Sequence, residues 1–295
     1  MADVAVIGLG AMGGGMARAA RTAGLGVVGI DVDPGREAEF RAGGGLAREA
    51  LPRVSAVAVV TLTGAQAEDA LFGAAGAAGA LAPGTVVLSC ATMAPEQARA
   101  LAARLAAAGL AFLDAPISGG AAKAEAGALS VMASGSAEAF AKARPLLDAT
   151  AETVFDLGTE PGAGSAMKAV NQLLAGVHIA AMAEAVVFAA AQGIAPETVL
   201  EVIPRCAGTS WMFENRAPHV VEADYAPRSA VAIWPKDLGI VLDAARAAGA
   251  PVPLASAALA RFTEAAGAGL AREDDAAVAK VYARGAGVTL PGEGS

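Results

Sequence analysis

Cysteine and histidine are scarce: Cys90, Cys206, His178 and His219 are the whole supply in 295 residues. Two isolated thiols build no disulfide framework, and so few soft ligands argue against a metal cluster. Basic residues are outnumbered, 21 Lys and Arg against 29 Asp and Glu, for a net charge of −8. No basic stripe occurs, which excludes nucleic acid and anionic membrane surfaces as expected partners. An acidic chain that takes an acidic substrate therefore needs a local pocket of donors. Although 55% of residues are hydrophobic, the low-charge stretch 74–95 is broken by Gly76, Gly79, Pro83, Gly84 and Pro95. A span needs about 20 mainly apolar residues, so a soluble protein is expected. Asp3 falls where a signal peptide would carry basic residues. Together with the few thiols, this points to the cytoplasm.

At 295 residues the chain exceeds what one core usually supports, so two domains are expected. The first half alternates short β-rich runs ("VAVIGL", "VVGID", "VAVVTL", "TVVLSC", "AFLDAP") with alanine-rich helical stretches, the signature of a parallel sheet with crossover helices. "LSVMASG" and "TVFDLG" read as further strands at the sheet edge. Beyond residue 162 the β signal fades and long amphipathic stretches follow. One of them, "GSAMKAVNQLLAGVHIAAMAEAVVFAAAQG", reads as a single long helix stopped by Gly193. The expected division is an α/β domain over 1–162 and an all-helical domain over 163–295.

The α/β half opens with Gly8, Gly10 and Gly13 in the pattern G-x-G-x-x-G, after a strand and before a helix, with Asp31 closing the second strand. Each part has a function in dinucleotide binding. Gly8 permits the turn, Gly10 admits a pyrophosphate, and Gly13 lets helix pack on strand. Ala11 and Met12 lie in the same loop, where the helix N-terminus offers N–H donors to phosphate. Asp31 would accept from the adenine ribose hydroxyls and repel a 2′-phosphate, so NAD is expected and NADP is disfavoured. Arg36 is read as a solvated helix residue, with phosphate binding as its other reading.

Later loops at strand ends should line the same crevice: Leu62 and Thr63, then Thr92. Thr92 has two compatible readings, a donor near the nicotinamide and a helix N-cap ahead of Pro95. Cys90 is read as a small buried residue rather than a nucleophile. In "DAPISGG", Ser118, Gly119 and Gly120 offer a hydroxyl and exposed N–H groups suited to a carboxylate, or form an ordinary glycine turn. Lys168 is the sole lysine of the long helix, with Asn171 and Gln172 on its face. Taken alone it reads either as a helix-edge lysine or as a buried acid/base group.

"GLGAMGGGMA", "DAPISGG", "GAGSAMKAVNQ" and "WPKDLG" together resemble the β-hydroxyacid dehydrogenase family over roughly residues 3–285. "NQLLAGVHIAAMAEA", "SWMFENRAPHVV", "DYAPRSAVAI" and "REDDAAVAKVY" are similar to its L-threonate dehydrogenase branch. The resemblance implies a Rossmann N-terminal domain joined through a long interdomain helix to an all-α domain for substrate binding and dimerisation, in a homodimer or homotetramer. It implies NAD-dependent oxidation of a small hydroxylated carboxylic acid, L-threonate first, with 3-hydroxyisobutyrate or tartronate semialdehyde as alternatives. By motif, Lys168 would be the general acid/base, and Ser118, Gly119 and Gly120 would hold the substrate carboxylate. Asn171 and Gln172 would contact substrate, while Thr92 and Lys236 would lie at the nicotinamide side. No metal is implied. Gln172 departs from many relatives, which carry Asn there. In "TSWMFENR", Trp211 and Phe213 read as packing residues or a pocket wall, with Asn215 or Arg216 reaching substrate hydroxyls. An imine reductase of the same fold would lack Lys168, and a non-catalytic nucleotide-binding regulator would not need it.

Overall fold

A computed structural model describes residues 3–292. The strands are β1 (Asp3–Ile7), β2 (Gly26–Ile30), β3 (Ala56–Val59), β4 (Val86–Ser89), β5 (Ala111–Asp114), β6 (Ile117–Ser118), β7 (Leu129–Gly135) and β8 (Ala151–Asp156). They form one sheet in the order β2-β1-β3-β4-β5-β7-β6, with β8 paired to β7. The first five are parallel, as the alternating pattern requires, whereas β7 runs antiparallel to β5 and β6. Parallel strands are covered on both faces, which explains their unbroken apolar runs. Val4, Val6, Ala58 and Leu88 pack into one layer, while Ala5, Ile7, Val57 and Val87 pack into the other.

The helices between them are α1 (Ala11–Thr22), α2 (Pro34–Ala42), α3 (Gly64–Phe72), α4 (Pro95–Ala107), α5 (Gly120–Glu125) and α6 (Ala137–Thr150). Then come α7 (Ala163–Ala191), α8 (Pro196–Val202), α9 (Trp211–Val221), α10 (Ile233–Ala248), α11 (Pro253–Ala265) and α12 (Val278–Ala286). The chain divides into two compact units, Met1–Lys168 and Ala169–Ser295, so the division falls inside α7. Gly193, at φ +77°, follows the end of α7, where an L-side chain would be strained.

Among the described residues, the helix long and apolar enough to cross a membrane is α7, not residues 74–95. Its apolar length has a core origin: Ala175, Ile179, Met182, Ala183 and Val186 are buried in the second unit. Val170, Leu174 and Phe188 leave a second apolar face exposed.

That unit closes over Trp234, stacked on Phe262 at 5.3 Å, and over a buried ionic network. Arg216 Nε donates to Asp275 Oδ1 at 2.5 Å, and Trp234 Nε1 donates to Asp275 Oδ2 at 2.9 Å. Asp274 accepts from the backbone N–H of Ala276 and pairs with His219. Burial pushes the Asp275 carboxyl up, and the Arg216 guanidinium pulls it back. Arg216→Met should therefore lower the unfolding free energy by about 3–5 kcal/mol at neutral pH, since it strands a buried carboxylate. A carboxyl raised by folding contributes stability that is present at low pH and lost as pH rises through its folded pKa. The deficit of the variant should thus shrink on acidification. Urea unfolding at pH 7 and pH 5 checks this, and an equal deficit at both would contradict it.

Candidate active site

The glycine loop follows β1. Gly8 has φ +95°, and a Cβ there would stand 2.2 Å from Val60 O; at Gly13 it would stand 1.8 Å from Gly8 O. Both are close approaches that only glycine allows. Gly10 is different: a Cβ there would meet nothing nearer than Arg36 Nη1, at 3.9 Å. The loop is thus open at Gly10, directly before α1. Gly10 caps that helix without a side-chain acceptor, and its first turn, which includes Ala11 and Met12, carries no acid. Orphan N–H groups at an uncapped helix start suit a phosphate. These features fit a dinucleotide.

Asp31 closes β2, and its side chain is only 5% exposed. Oδ2 accepts from Leu9 N–H at 2.6 Å and Oδ1 from Asp33 N–H at 2.9 Å. The carboxylate therefore braces the glycine loop as well as ending the strand. Arg36 is not simply solvated: Nη1 is 3.7 Å from Asp31 and Nε is 3.7 Å from Asp33. Val32, between the two acids, is 98% exposed.

Leu62 and Thr63 follow β3 through Thr61. Thr63 caps α3, accepting from Gln66 N–H at 3.1 Å, while Gln66 Oε1 accepts from Leu62 and Thr63 N–H. Thr92 follows β4 but does not cap α4. Ala94 holds the cap position, and Gln97 reaches back to its N–H at 3.2 Å. The N-cap reading of Thr92 is thereby overturned: Thr92 lies two residues before the cap position, and the helix start is closed instead by Gln97 accepting from Ala94 N–H. Cys90 is buried, and burial, then Asp114, pushes its thiol up to about 12, so it is no nucleophile.

Ser118 ends β6, and Gly119 and Gly120 follow at φ +138° and +77°. A Cβ on Gly119 would meet Lys123 Cβ at 2.9 Å. The following α5 lies against α1, where Arg18 forks onto Glu125 at 2.5–2.9 Å. Lys168, on α7, is 7% exposed. Its helix start is tied to the sheet: Asp114 accepts from Gly162 N–H, Ser165 N–H and Ser165 Oγ–H.

In the second unit, Asn171 donates to Gln172 Oε1 at 2.9 Å, and Gln172 Nε2 donates to Asp237 Oδ2 at 2.5 Å. Lys236, in the first turn of α10, lies 2.7 Å from Asp237 Oδ1. Gln172 and Lys236 thus share one buried carboxylate. Trp211 is 63% exposed, so it does not pack, whereas Phe213 is buried. Arg216, one of the two side chains read as reaching substrate hydroxyls, is bound instead to Asp275 and to the other, Asn215.

Sequence reasoning missed Asp114 and Asp237. Both stood inside quoted motifs, "DAPISGG" and "WPKDLG", Asp114 at the end of an apolar strand and Asp237 beside Lys236. A buried acid needs donors, and that was the available signal.

Comparison with known proteins bears on this arrangement. Residues 3–158 match the pattern described as the NAD binding domain of 6-phosphogluconate dehydrogenase. Residues 162–282 match that described as the NAD-binding of NADP-dependent 3-hydroxyisobutyrate dehydrogenase. The chain is 48% identical to an L-threonate dehydrogenase of Haemophilus influenzae, over 99% of this chain and 98% of that protein. It is 47% identical to the L-threonate dehydrogenase of Escherichia coli K12, over 98% and 96%. A solved structure from Salmonella typhimurium, described as a 3-hydroxyisobutyrate dehydrogenase, aligns with a TM-score of 0.89 at 47% identity, covering 95% of this chain and 100% of that one.

Proposed function

Because the chain belongs to the β-hydroxyacid dehydrogenase family, whose members act on CH–OH groups with a nicotinamide cofactor, we propose that it oxidises L-threonate at C2 to the 2-oxo acid. The observation that carries this reading is the near-complete alignment with L-threonate dehydrogenases at 47–48% identity. NAD, when bound, supplies the hydride acceptor. Gly10, with Ala11 and Met12 at the start of α1, would hold its pyrophosphate, Gly8 and Gly13 would shape the loop around it, and Asp31 would face its adenine ribose. Leu62 and Thr63 after β3, and Thr92 after β4, would lie toward the nicotinamide.

Lys168 is the catalytic residue. Its neutral amine takes the proton of the C2 hydroxyl as the C2 hydrogen leaves with its electron pair. The amine becomes an ammonium and the C–O bond becomes a carbonyl. In the reverse direction the ammonium returns that proton. Ser118, Gly119 and Gly120 anchor the carboxylate through a hydroxyl and backbone N–H groups, supplying the local donors that an acidic chain requires. Asn171 and Gln172, one turn beyond Lys168 on the same helix, are the amides proposed for the substrate hydroxyls, with Gln172 held in place by Asp237. The carboxylates of Asp31 and Asp33 around Arg36 leave poor accommodation for a 2′-phosphate, so NAD is used over NADP. The protein works in the cytoplasm as a homodimer or homotetramer, and the exposed apolar face of α7 supports association.

A second reading, 3-hydroxyisobutyrate oxidation, is favoured by the description of the similar solved structure. Initial rates of NADH formation from L-threonate, D-threonate, D-erythronate, D-glycerate and 3-hydroxyisobutyrate, each with NAD and NADP, separate the two. L-threonate with NAD should give the highest kcat/KM. A higher value for 3-hydroxyisobutyrate would replace the substrate and keep the chemistry.

A further inference from the structure

Asp114 ends β5 fully buried, and its two oxygens take three donors from the start of α7. Oδ2 accepts from Gly162 N–H at 3.0 Å and Ser165 N–H at 2.8 Å; Oδ1 accepts from Ser165 Oγ–H at 2.8 Å. A third N–H, that of Gly164, donates to the buried Ser134 Oγ at 3.1 Å, from β7. A helix start normally leaves its first N–H groups to a local cap or to water. Here they are taken by side chains of two neighbouring strands, so the first turn of α7 is clamped to the sheet. Ser165 and Lys168 are three positions apart and share a helix face, about 4.5 Å apart along the axis.

Resting on Lys168 as the proton-transferring group, we propose that Asp114 and Ser165 are positioning residues. They fix the axial height and rotation of α7, and through them the placement of the Lys168 amine. The chemistry of the clamp specifies a carboxylate. An asparagine would present two donors of its own to a site made of donors. The carboxylate is kept at a cost: burial pushes Asp114 up, and the bonds from Ser165 and Gly162 only partly pull it back. Arg99 also favours the charge from a distance, but among the described residues no cation pairs with Asp114 within 4 Å, and a buried charge so held is a poor device for stability. It is a good device for orientation, because both of its oxygens accept from fixed donors of α7. The same strand leads, four residues on, to Ser118, so one carboxylate ties the lysine helix to the strand that feeds the carboxylate loop.

The test compares Ser165→Ala, Asp114→Asn and Lys168→Ala with the unaltered protein. The assay uses NAD and the best substrate of the panel above, with and without deuterium at the oxidised carbon, alongside NADH binding and thermal unfolding. Ser165→Ala removes one hydroxyl without leaving a charge stranded, so it should fold. Its kcat should fall about 10–100-fold, the scale of a 1 Å misplacement. KM for both substrates should stay within about two-fold of the starting values, and the deuterium effect on kcat should rise because hydride transfer becomes limiting. Asp114→Asn should show the same pattern with a larger fall. Unchanged kcat and isotope effect in Ser165→Ala, or a loss confined to KM or to thermal stability, would overturn the positioning role if Lys168→Ala is inactive. An active Lys168→Ala would instead overturn the assignment on which this inference rests.

Discussion

Replacing Lys168 with alanine should lower kcat/KM by about 10²–10⁴-fold, the usual contribution of a placed general acid/base. NADH affinity, read by fluorescence, should stay unchanged. The separation follows from location. The dinucleotide features lie in the glycine loop and at Asp31, whereas Lys168 stands at the sixth position of α7. Because Lys168 is only 7% exposed, truncation also removes a packed side-chain stem, so thermal unfolding is measured beside the kinetics. A loss of turnover with an intact fold and intact nucleotide binding would mark Lys168 as the proton relay. Retained turnover would assign the proton to another group and return Lys168 to a structural role.

Asp31→Asn should collapse the preference for NAD over NADP. At about 4 Å, a carboxylate and a phosphate charge repel by about 1 kcal/mol in water and about 4 kcal/mol at the effective dielectric of a protein surface. Removing the charge should therefore change the kcat/KM ratio of the two cofactors by about five-fold to several hundred-fold, since 1.4 kcal/mol is a factor of ten. Asparagine keeps an oxygen for Leu9 N–H, so the glycine loop should hold its shape. The variant does lose one bond, because an amide N–H cannot accept from Asp33 N–H. Arg36, released from Asp31, would then be available to a 2′-phosphate. Steady-state kinetics with both cofactors checks this. An unchanged ratio would locate the discrimination in Val32 and Asp33 instead.

The two expectations differ in how they could be read. The glycine fingerprint was legible because its requirements are local. Turn, open loop and helix start fall within six residues, Gly8 to Gly13, and each residue type has one geometric reason to be there. The parallel sheet was legible for a related reason, since fully covered strands must be continuous apolar runs. Even so, the antiparallel β7 broke the pattern without a local signal, as pairing direction is a property of two strands and not of one.

By itself, then, the amino-acid order determined the α/β-plus-helical layout, the nucleotide loop, the acid at the end of β2 and the place of Lys168 on one long helix. Only the tertiary structure decided what the acids do. Asp31 meets Leu9 across 22 residues, Asp114 meets Ser165 across 51, and Gln172 meets Asp237 across 65. It also decided that Ala94 rather than Thr92 caps α4, and that Arg216 serves Asp275 rather than substrate. The physical reason is the same in each case. Propensity and periodicity act over a few residues, whereas the desolvation of a buried polar group is relieved only by whichever donor the packed chain brings within about 3 Å of it.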